Sequence, residues 1–167
     1  TLATAAAAGA TWFDTPKLLA AAGARAESLK KYGGFPMGIQ SYSLRGFGGD
    51  QAYKTINTLG LHWVEPFRTH YPPTTNAEAI QKMKAKLDAL DISVSAHGVH
   101  GFSKNHQRNE QLFKFAKMAG FRNLSANPSP DSFDSLEKLV EQYDVRIAIH
   151  NHGPGALYDS LEDGLKA

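Results

Sequence analysis

The chain has 167 residues, of which 42% are hydrophobic and 20% charged, a composition typical of one globular domain with a sizeable core. Its formal net charge of +2 comes without a concentrated run of lysine and arginine, which disfavours nucleic acid as a partner. The absence of cysteine excludes disulfides and thiolate chemistry, and no apolar segment is as long as a membrane-spanning helix.

The N-terminal part is poor in charge and rich in small residues. Residues 2–10 resemble the end of an export signal, with Ala8-Gly9-Ala10 as an Ala-x-Ala-like cleavage site. The chain begins at Thr1, which indicates missing upstream sequence, and an alanine-rich terminal helix is the alternative interpretation. Lys17 to Lys31 is predicted as a helix. We therefore assign residues 1–35 to an export-signal remnant, a linker and an N-terminal helix, which favours a periplasmic or secreted location over a cytoplasmic one.

From residue 36 onwards, five strand–helix units follow one another. Apolar residues alternate with polar ones in the strands and recur every three or four positions in the helices. The predicted strands are Met37–Ser43, Leu61–Glu65, Ile92–Ala96, Phe121–Ala126 and Val145–His150. The predicted helices start near Asp50, Asn76, Asn105, Phe133 and Ser160, with Asp50 and Asn76 as N-terminal caps and Gly120 at the end of the third helix. Consecutive strands begin about 24 to 31 residues apart, the size of a βα unit, which predicts a parallel sheet.

The number of units limits the architecture. A closed (β/α)8 barrel needs eight units and about 250 residues. This sequence has five units and stops within a predicted helix. The pattern therefore predicts an α/β fold of TIM-barrel type in residues 36–167, with only the first five βα units present. A complete five-stranded doubly wound domain is the alternative.

Strand alternation predicts which side chains line the inner face. In the fifth strand, Ile147 and Ile149 suit the face below the helices, so His150 faces inward and His152 lies just beyond. The same reasoning turns His97 inward and places His97 to Gly101 in an exit loop. The carboxyl edge of the sheet would collect Tyr42, Glu65, His97, Asn127, His150 and His152. Alternation also puts Gln40, Ser95, Asn123 and Ser125 on the inner face, farther from that edge.

These side chains have functional and structural interpretations. A carboxylate at an inner strand end is costly to bury unless it is used, but Glu65 could also pair with a nearby cation. His150 and His152 share a face, which suits metal or sugar binding. Trp63 could stack on a sugar ring or belong to the core. No Walker sequence, nucleophile elbow or dinucleotide fingerprint is present.

Four segments together resemble a known family. They are Gly38-Ile39-Gln40-Ser41-Tyr42-Ser43-Leu44-Arg45, Val64-Glu65, Ser125-Ala126-Asn127-Pro128 and Ile149-His150-Asn151-His152-Gly153-Pro154-Gly155. They look like the sugar phosphate isomerase/epimerase family, which has the xylose isomerase-like TIM barrel fold. The resemblance covers residues 36–167 and matches the first five strands of the family's barrel.

The resemblance implies a divalent metal ion, Mn²⁺, Zn²⁺ or Mg²⁺, at the barrel mouth, with carboxylates that move a proton next to a carbonyl group. Members commonly carry a glutamate ligand where this chain has His150, so His150 is the implied metal ligand and a catalytic residue. Glu65 matches a glutamate on the family's second strand and is the implied acid or base. Substrate contacts are expected from Tyr42, His97, Asn127 and His152.

The function predicted from this resemblance is a sugar or sugar phosphate isomerase or epimerase that uses metal-assisted proton transfer. The family's other ligands come from strands six to eight, so the 167-residue chain alone is expected to be inactive. Alternatives are a non-catalytic sugar-binding barrel protein and a lyase or dehydratase acting on a sugar or inositol-like polyol. The expected partner is a small carbohydrate, and a homo-oligomer is compatible with the sequence.

Overall fold

The computed structural model describes residue 23 and residues 25–166. The predicted export signal and most of the predicted helix Lys17–Lys31 lie outside these residues. Residues 25–31 are helical. Within residues 25–166, no helix is long and apolar enough to cross a membrane.

Parallel strands and helices alternate along the described chain. The strands are β1 (Gly38–Gln40), β2 (Trp63–Glu65), β3 (Ser93–Val94), β4 (His97–Phe102), β5 (Asn123–Pro128) and β6 (Arg146–Ile149). The helices after residue 36 are α1 (Gly49–Thr58), α2 (Ala77–Ala89), α3 (His106–Ala119), α4 (Phe133–Tyr143) and α5 (Leu161–Lys166). Two sheets have the orders β1-β2-β3 and β4-β5-β6, and every pairing is parallel. The prediction of an α/β fold built from parallel βα units is confirmed.

The predicted third strand continues through both sheets. Its first part, β3, pairs with β2, and its second part, β4, pairs with β5. Between them the chain bends at Ser95, whose amide still donates to the carbonyl oxygen of Val64 at 3.0 Å. The predicted exit loop from His97 to Gly101 was wrong, because this segment forms a ladder with β5 and ends at the buried Phe102.

The core lies between the sheets and the helices. The strands supply Val64 and Leu124 to it, Val145 comes from the residue before β6, and the helices supply Ile56, Ile80, Phe113, Phe115 and Leu139. All of these side chains are at most 1% exposed. Burial of this apolar surface is the main favourable term in folding.

Individual residues at the helix ends determine where the helices begin and stop. Asn76 Oδ1 accepts a hydrogen bond from the amide of Ala79 at 2.9 Å and caps α2, as predicted. Gly120, with φ of 79°, adopts the left-handed conformation that ends α3. The helix predicted to be capped by Asp50 starts two residues earlier, with Gly48 at the cap position, so that Asp50 lies in its first turn instead.

The first strand is shorter than predicted. It ends at Gln40, and Ser41–Leu44 form a turn of 3₁₀ helix. The Oγ of Ser41 accepts a hydrogen bond from the amide of Phe67 at 3.0 Å, which pulls the chain out of the strand and across the carboxyl end of β2. Tyr42 therefore lies in a turn above the sheet.

The helix of residues 25–31 packs beneath the barrel. Ser28 Oγ donates to the carbonyl oxygen of Gly60 at 3.2 Å, just before β2. Arg25 contacts Asp91 and Ser93 at the start of β3. Residues 25–28 thus touch the amino-terminal end of the sheet, while the domain boundary at residue 35 stays a prediction.

Candidate functional site

Glu65 lies at the centre of a hydrogen-bonded group on the inner face. Its Oε1 accepts hydrogen bonds from Ser125 Oγ of β5 and, at 3.4 Å, from Gln40 Nε2 of β1. Glu65 ends β2, so the group joins three strands from both sheets. Within residues 25–166, Glu65 Oε2 makes no hydrogen bond to the protein, so one carboxylate oxygen is held and the other is available to a ligand.

Gly98 makes this arrangement sterically feasible. It lies in β4, between the strands that carry Glu65 and Ser125. A Cβ atom on Gly98 would overlap both the Oγ and the carbonyl oxygen of Ser125. The absence of a side chain in this part of β4 therefore lets Ser125 reach Glu65 across it.

A pocket of about 310 Å³ surrounds Glu65. Its lining consists of Pro36, Gly38, Ile39, Gln40, Trp63, Glu65 and Ser95. Trp63 supplies a flat apolar wall, while Gln40 and Glu65 supply hydrogen-bonding groups. Apolar walls with a few convergent polar groups are typical of small-molecule sites.

Aromatic residues and an arginine lie at the rim, after β1 and β2. Tyr42 is 51% exposed, and its ring meets the Phe67 ring edge-on, with 5.4 Å between centroids. The guanidinium carbon of Arg45 lies 4.8 Å from the centroid of Tyr42, a cation–π distance. Tyr42 thus occupies the predicted edge of the sheet, and its role in substrate binding stays a prediction.

The two histidines at the end of the fifth predicted strand and just beyond it come together. The amide of His150 donates to the carbonyl oxygen of Ala126 at 2.7 Å, which extends the β5–β6 ladder by one residue. The rings of His150 and His152 meet edge-to-face, 4.6 Å between centroids. Asn127 directly follows Ala126, the residue that accepts the hydrogen bond from His150, and it is half-buried in β5 opposite Gly101.

The described residues do not by themselves form a metal site. Across residues 25–166, no three side chains of histidine, aspartate or glutamate come close enough together to hold a metal ion. His150 has an imidazole neighbour in His152 but lacks a third ligand within this part of the chain. Metal ligation by His150 therefore stays a prediction.

The prediction that His97 faces the barrel interior was wrong. His97 is fully buried among core aromatics, with its ring stacked on Phe121 and edge-on to Phe115 of α3. The bend at Ser95 interrupts the strand alternation, so His97 points towards the helices. An irregularity between His97 and His100 then turns His100 to the same side.

His97 and His100 form a buried hydrogen-bonded pair. His97 Nε2 lies 2.9 Å from the carbonyl oxygen of Tyr71, and its Nδ1 lies 2.8 Å from His100 Nε2. Since a carbonyl only accepts, His97 carries its proton on Nε2, and His100 donates to His97 Nδ1. Burial lowers the pKa of His97 to about 4. The pKa of His100 falls to about 3, through burial first and then through the positive charges of His97 and Arg68.

Two members of the Glu65 group were not among the predicted site residues. Alternation places Gln40 and Ser125 on the inner face, but the sequence gives no sign that either contacts Glu65. Ser125 is 60 positions from Glu65 in the chain. The only local signal is Gly98, a glycine within a strand, which often marks close approach of a neighbouring chain.

Comparison with solved structures identifies the architecture. The chain matches an uncharacterized protein from Parabacteroides distasonis ATCC 8503 with a TM-score of 0.61 and 21% identity, over 69% of this chain and 52% of that one. It matches a xylose isomerase domain containing protein from Salmonella typhimurium LT2 with a TM-score of 0.55 and 14% identity, over 71% and 50%. No family model and no curated protein sequence matches the chain.

At these identities the likeness shows the fold. The chain has the parallel βα architecture of the xylose isomerase-like TIM barrel, as predicted. It spans about half the length of the solved structures that it matches.

Proposed function

We propose that the inner face binds a small carbohydrate and that Glu65 moves a proton next to its carbonyl group, as in sugar isomerases and epimerases. The observation that carries this proposal is the environment of Glu65. One of its oxygens is held by Ser125 and Gln40, and the other makes no protein hydrogen bond within residues 25–166. A carboxylate that is oriented in this way, inside a pocket, suits general acid–base work.

The pocket suits a monosaccharide in size and character. Its volume of about 310 Å³ is at the lower end of the range for small-molecule sites. A sugar ring has a face of C–H groups and an edge of hydroxyl groups. The indole of Trp63 can stack on the C–H face, and Gln40, Glu65 and Ser95 can hydrogen-bond to the hydroxyl groups. The amphipathic lining thus favours a polyhydroxylated ligand over a purely apolar one.

The proposed chemistry needs one carboxylate to take and return a proton. Glu65 Oε2 removes the proton from the carbon that bears a hydroxyl group beside the carbonyl. The electron pair of that C–H bond forms a C=C bond, and the carbonyl electrons move onto oxygen to give an enediolate. The hydroxyl proton then passes to the former carbonyl oxygen, and the oxygen that loses it forms the new C=O bond. The C=C electron pair takes the proton back from Glu65 at the neighbouring carbon, which completes an isomerisation. Ser125 and Gln40 keep the carboxylate oriented throughout.

Metal dependence is a separate part of this proposal. The family resemblance implies a divalent cation, which would stabilise the negative charge on the enediolate oxygen. His150 would be the contribution of this chain to its binding, with His152 as a neighbouring substrate contact, and further ligands would have to come from elsewhere. The role of Glu65 uses only residues of this chain and can be tested independently.

The test is proton exchange at the substrate carbon. The natural protein is incubated in D₂O with D-xylulose, D-ribulose and their 5-phosphates, with and without Mn²⁺, and loss of the C–H signal is followed by NMR. We expect Glu65→Gln to slow exchange at least about 100-fold, the lower range for loss of a general base. Ser125→Ala should slow it less, because Glu65 keeps its Gln40 contact.

Three results would contradict the proposal. Unchanged exchange in Glu65→Gln would exclude Glu65 as the base. Sugar binding without exchange in any condition would favour the non-catalytic sugar-binding protein. Release of a dehydrated product would favour the lyase or dehydratase.

A further inference from the structure

Arg25 links the helix of residues 25–31 to the barrel strands. Its Nε donates to Asp91 Oδ1 at 2.8 Å, and its Nη2 donates to Ser93 Oγ at 3.0 Å. The guanidinium carbon lies 5.6 Å from the centroid of the Trp63 ring. Arg25 therefore contacts β3 by hydrogen bonds and β2 through an aromatic ring.

The partners of Arg25 are themselves fixed. Asp91 adopts a φ of 50°, in the left-handed region, at the turn that leads into β3. Its carbonyl oxygen accepts a hydrogen bond from His62 Nδ1 at 3.1 Å, and His62 is only 6% exposed. The carboxylate that anchors Arg25 thus belongs to a turn tied to the start of β2.

Trp63 connects this anchor to the candidate site. Trp63 and Glu65 are two residues apart in β2 and lie on the same face of the strand, since Val64 between them is buried in the core. Both line the 310 Å³ pocket. Trp63 is on the amino-terminal side of Glu65, so a ligand that enters from the carboxyl edge meets Glu65 first and Trp63 at the bottom.

We propose that Arg25 is a positioning residue that holds the Trp63 indole in place as the floor of the pocket. The ligand class, a small carbohydrate whose C–H face stacks on the indole, rests on the proposed function. The positioning of Trp63 by Arg25 does not. The helix before the barrel thereby becomes part of the binding site.

Fluorescence of Trp63 tests the positioning directly. The sequence has two tryptophans, Trp12 and Trp63, so a Trp12→Phe background leaves Trp63 as the single emitter. In this background, Arg25→Gln should increase acrylamide quenching at least twofold and shift the emission to the red, because the indole loses its cover. Arg25→Lys, which keeps a cation near the ring, should restore part of the protection.

Matched controls separate this effect from a general loss of structure. Lys30→Gln removes an exposed cation from the same helix, where Lys30 pairs with Glu27 among residues 25–166, and should leave the quenching unchanged. Ser93→Ala removes one hydrogen bond of Arg25 and should increase the quenching less than Arg25→Gln does. If Arg25→Gln folds poorly, the Ser93→Ala variant still tests the proposal. Quenching in Arg25→Gln and Ser93→Ala equal to that of the parent would overturn the proposal.

Titrations with the four probe sugars, D-xylulose, D-ribulose and their 5-phosphates, test the effect on the ligand. We expect the sugar to protect Trp63 from acrylamide in the parent and Arg25→Gln to weaken its binding at least threefold. Equal affinity in both proteins would overturn the inference that the floor matters for binding. If the parent bound none of the probe sugars while Arg25→Gln still exposed the indole, the proposed function would fail and the positioning by Arg25 would stand.

Discussion

The buried His97–His100 pair should make the protein sensitive to mild acid. In the folded state both rings are neutral, because burial lowers the pKa of His97 to about 4 and that of His100 to about 3. In the unfolded chain both return to about 6.5. Below pH 6.5 the unfolded chain therefore binds protons that the folded protein does not, so stability falls as pH decreases towards 4.

The magnitude follows from these pKa values. Between pH 7 and pH 5, each histidine lowers the free energy of unfolding by about 2 kcal/mol, which amounts to about 4 kcal/mol for the pair. This is a large part of the 5–15 kcal/mol that is usual for a folded domain. The hydrogen bonds oppose protonation further, because a proton on His97 Nδ1 would point at the N–H of His100.

Urea denaturation at pH 7, 6 and 5 measures this loss. The double variant His97→Gln, His100→Gln keeps an amide donor for the Tyr71 carbonyl and removes both titrating groups, so its stability should change little over the same range. His106→Gln, at an exposed histidine, should retain the full loss. Three carboxyl groups, those of Asp50, Glu110 and Asp163, have pKa values below their usual range. The stabilisation that these carboxylates give the folded protein is lost only at a lower pH than that of the histidines. A parent that is equally stable at pH 7 and pH 5 would refute the reasoning.

Two further substitutions test the packing around the site and one helix end. Gly98→Ala should destabilise the protein by about 1–3 kcal/mol, because the added Cβ overpacks against Ser125. Urea denaturation measures this loss, and the substitution should also impair Glu65-dependent exchange. A stability equal to that of the parent would contradict the close approach of β4 and β5. Asn105→Ala removes the side chain that accepts from the amide of Arg108 at 3.0 Å and should cost about 1 kcal/mol in thermal unfolding, whereas Asn105→Asp should preserve the cap; equal losses in both variants would argue against capping.

Local patterns in the sequence predicted most elements of the fold. The alternation of Val145, Ile147 and Ile149 gave the correct face for β6, because nothing interrupts that strand. The caps at Asn76 and Gly120 depend on neighbouring backbone groups only and were therefore readable from short segments. These features are determined within a few residues of chain.

The errors arose where distant contacts override local pattern. Strand alternation predicts His97 on the inner face, but the chain bends at Ser95 as it passes from one sheet to the other, and the alternation does not continue across this bend. The sequence pattern predicts a first strand that continues to Ser43, but the strand ends at Gln40, and Ser41 bonds instead to Phe67, 26 positions away. Neither contact leaves a mark in the adjacent sequence.

The candidate site was predictable in part for the same reason. Glu65 was identified from its place at a strand end, and His150 and His152 from their shared face. The hydrogen bond from Ser125 to Glu65 and the contact of Arg25 with Trp63 depend on how separate units pack. The composition of residues 1–35 predicts a segment that precedes the core, and nothing in it indicates that Arg25 contacts Trp63.

The segment that carries β3 and β4 has a consequence for cooperativity. Its amides bond to the β2 side at Val64 and Pro66, and its second half pairs with β5 from Leu124 onwards. Unfolding of either sheet therefore releases the segment that forms an edge strand of the other sheet. The two halves of the described barrel should share one unfolding transition, even though they are separate ladders of backbone hydrogen bonds.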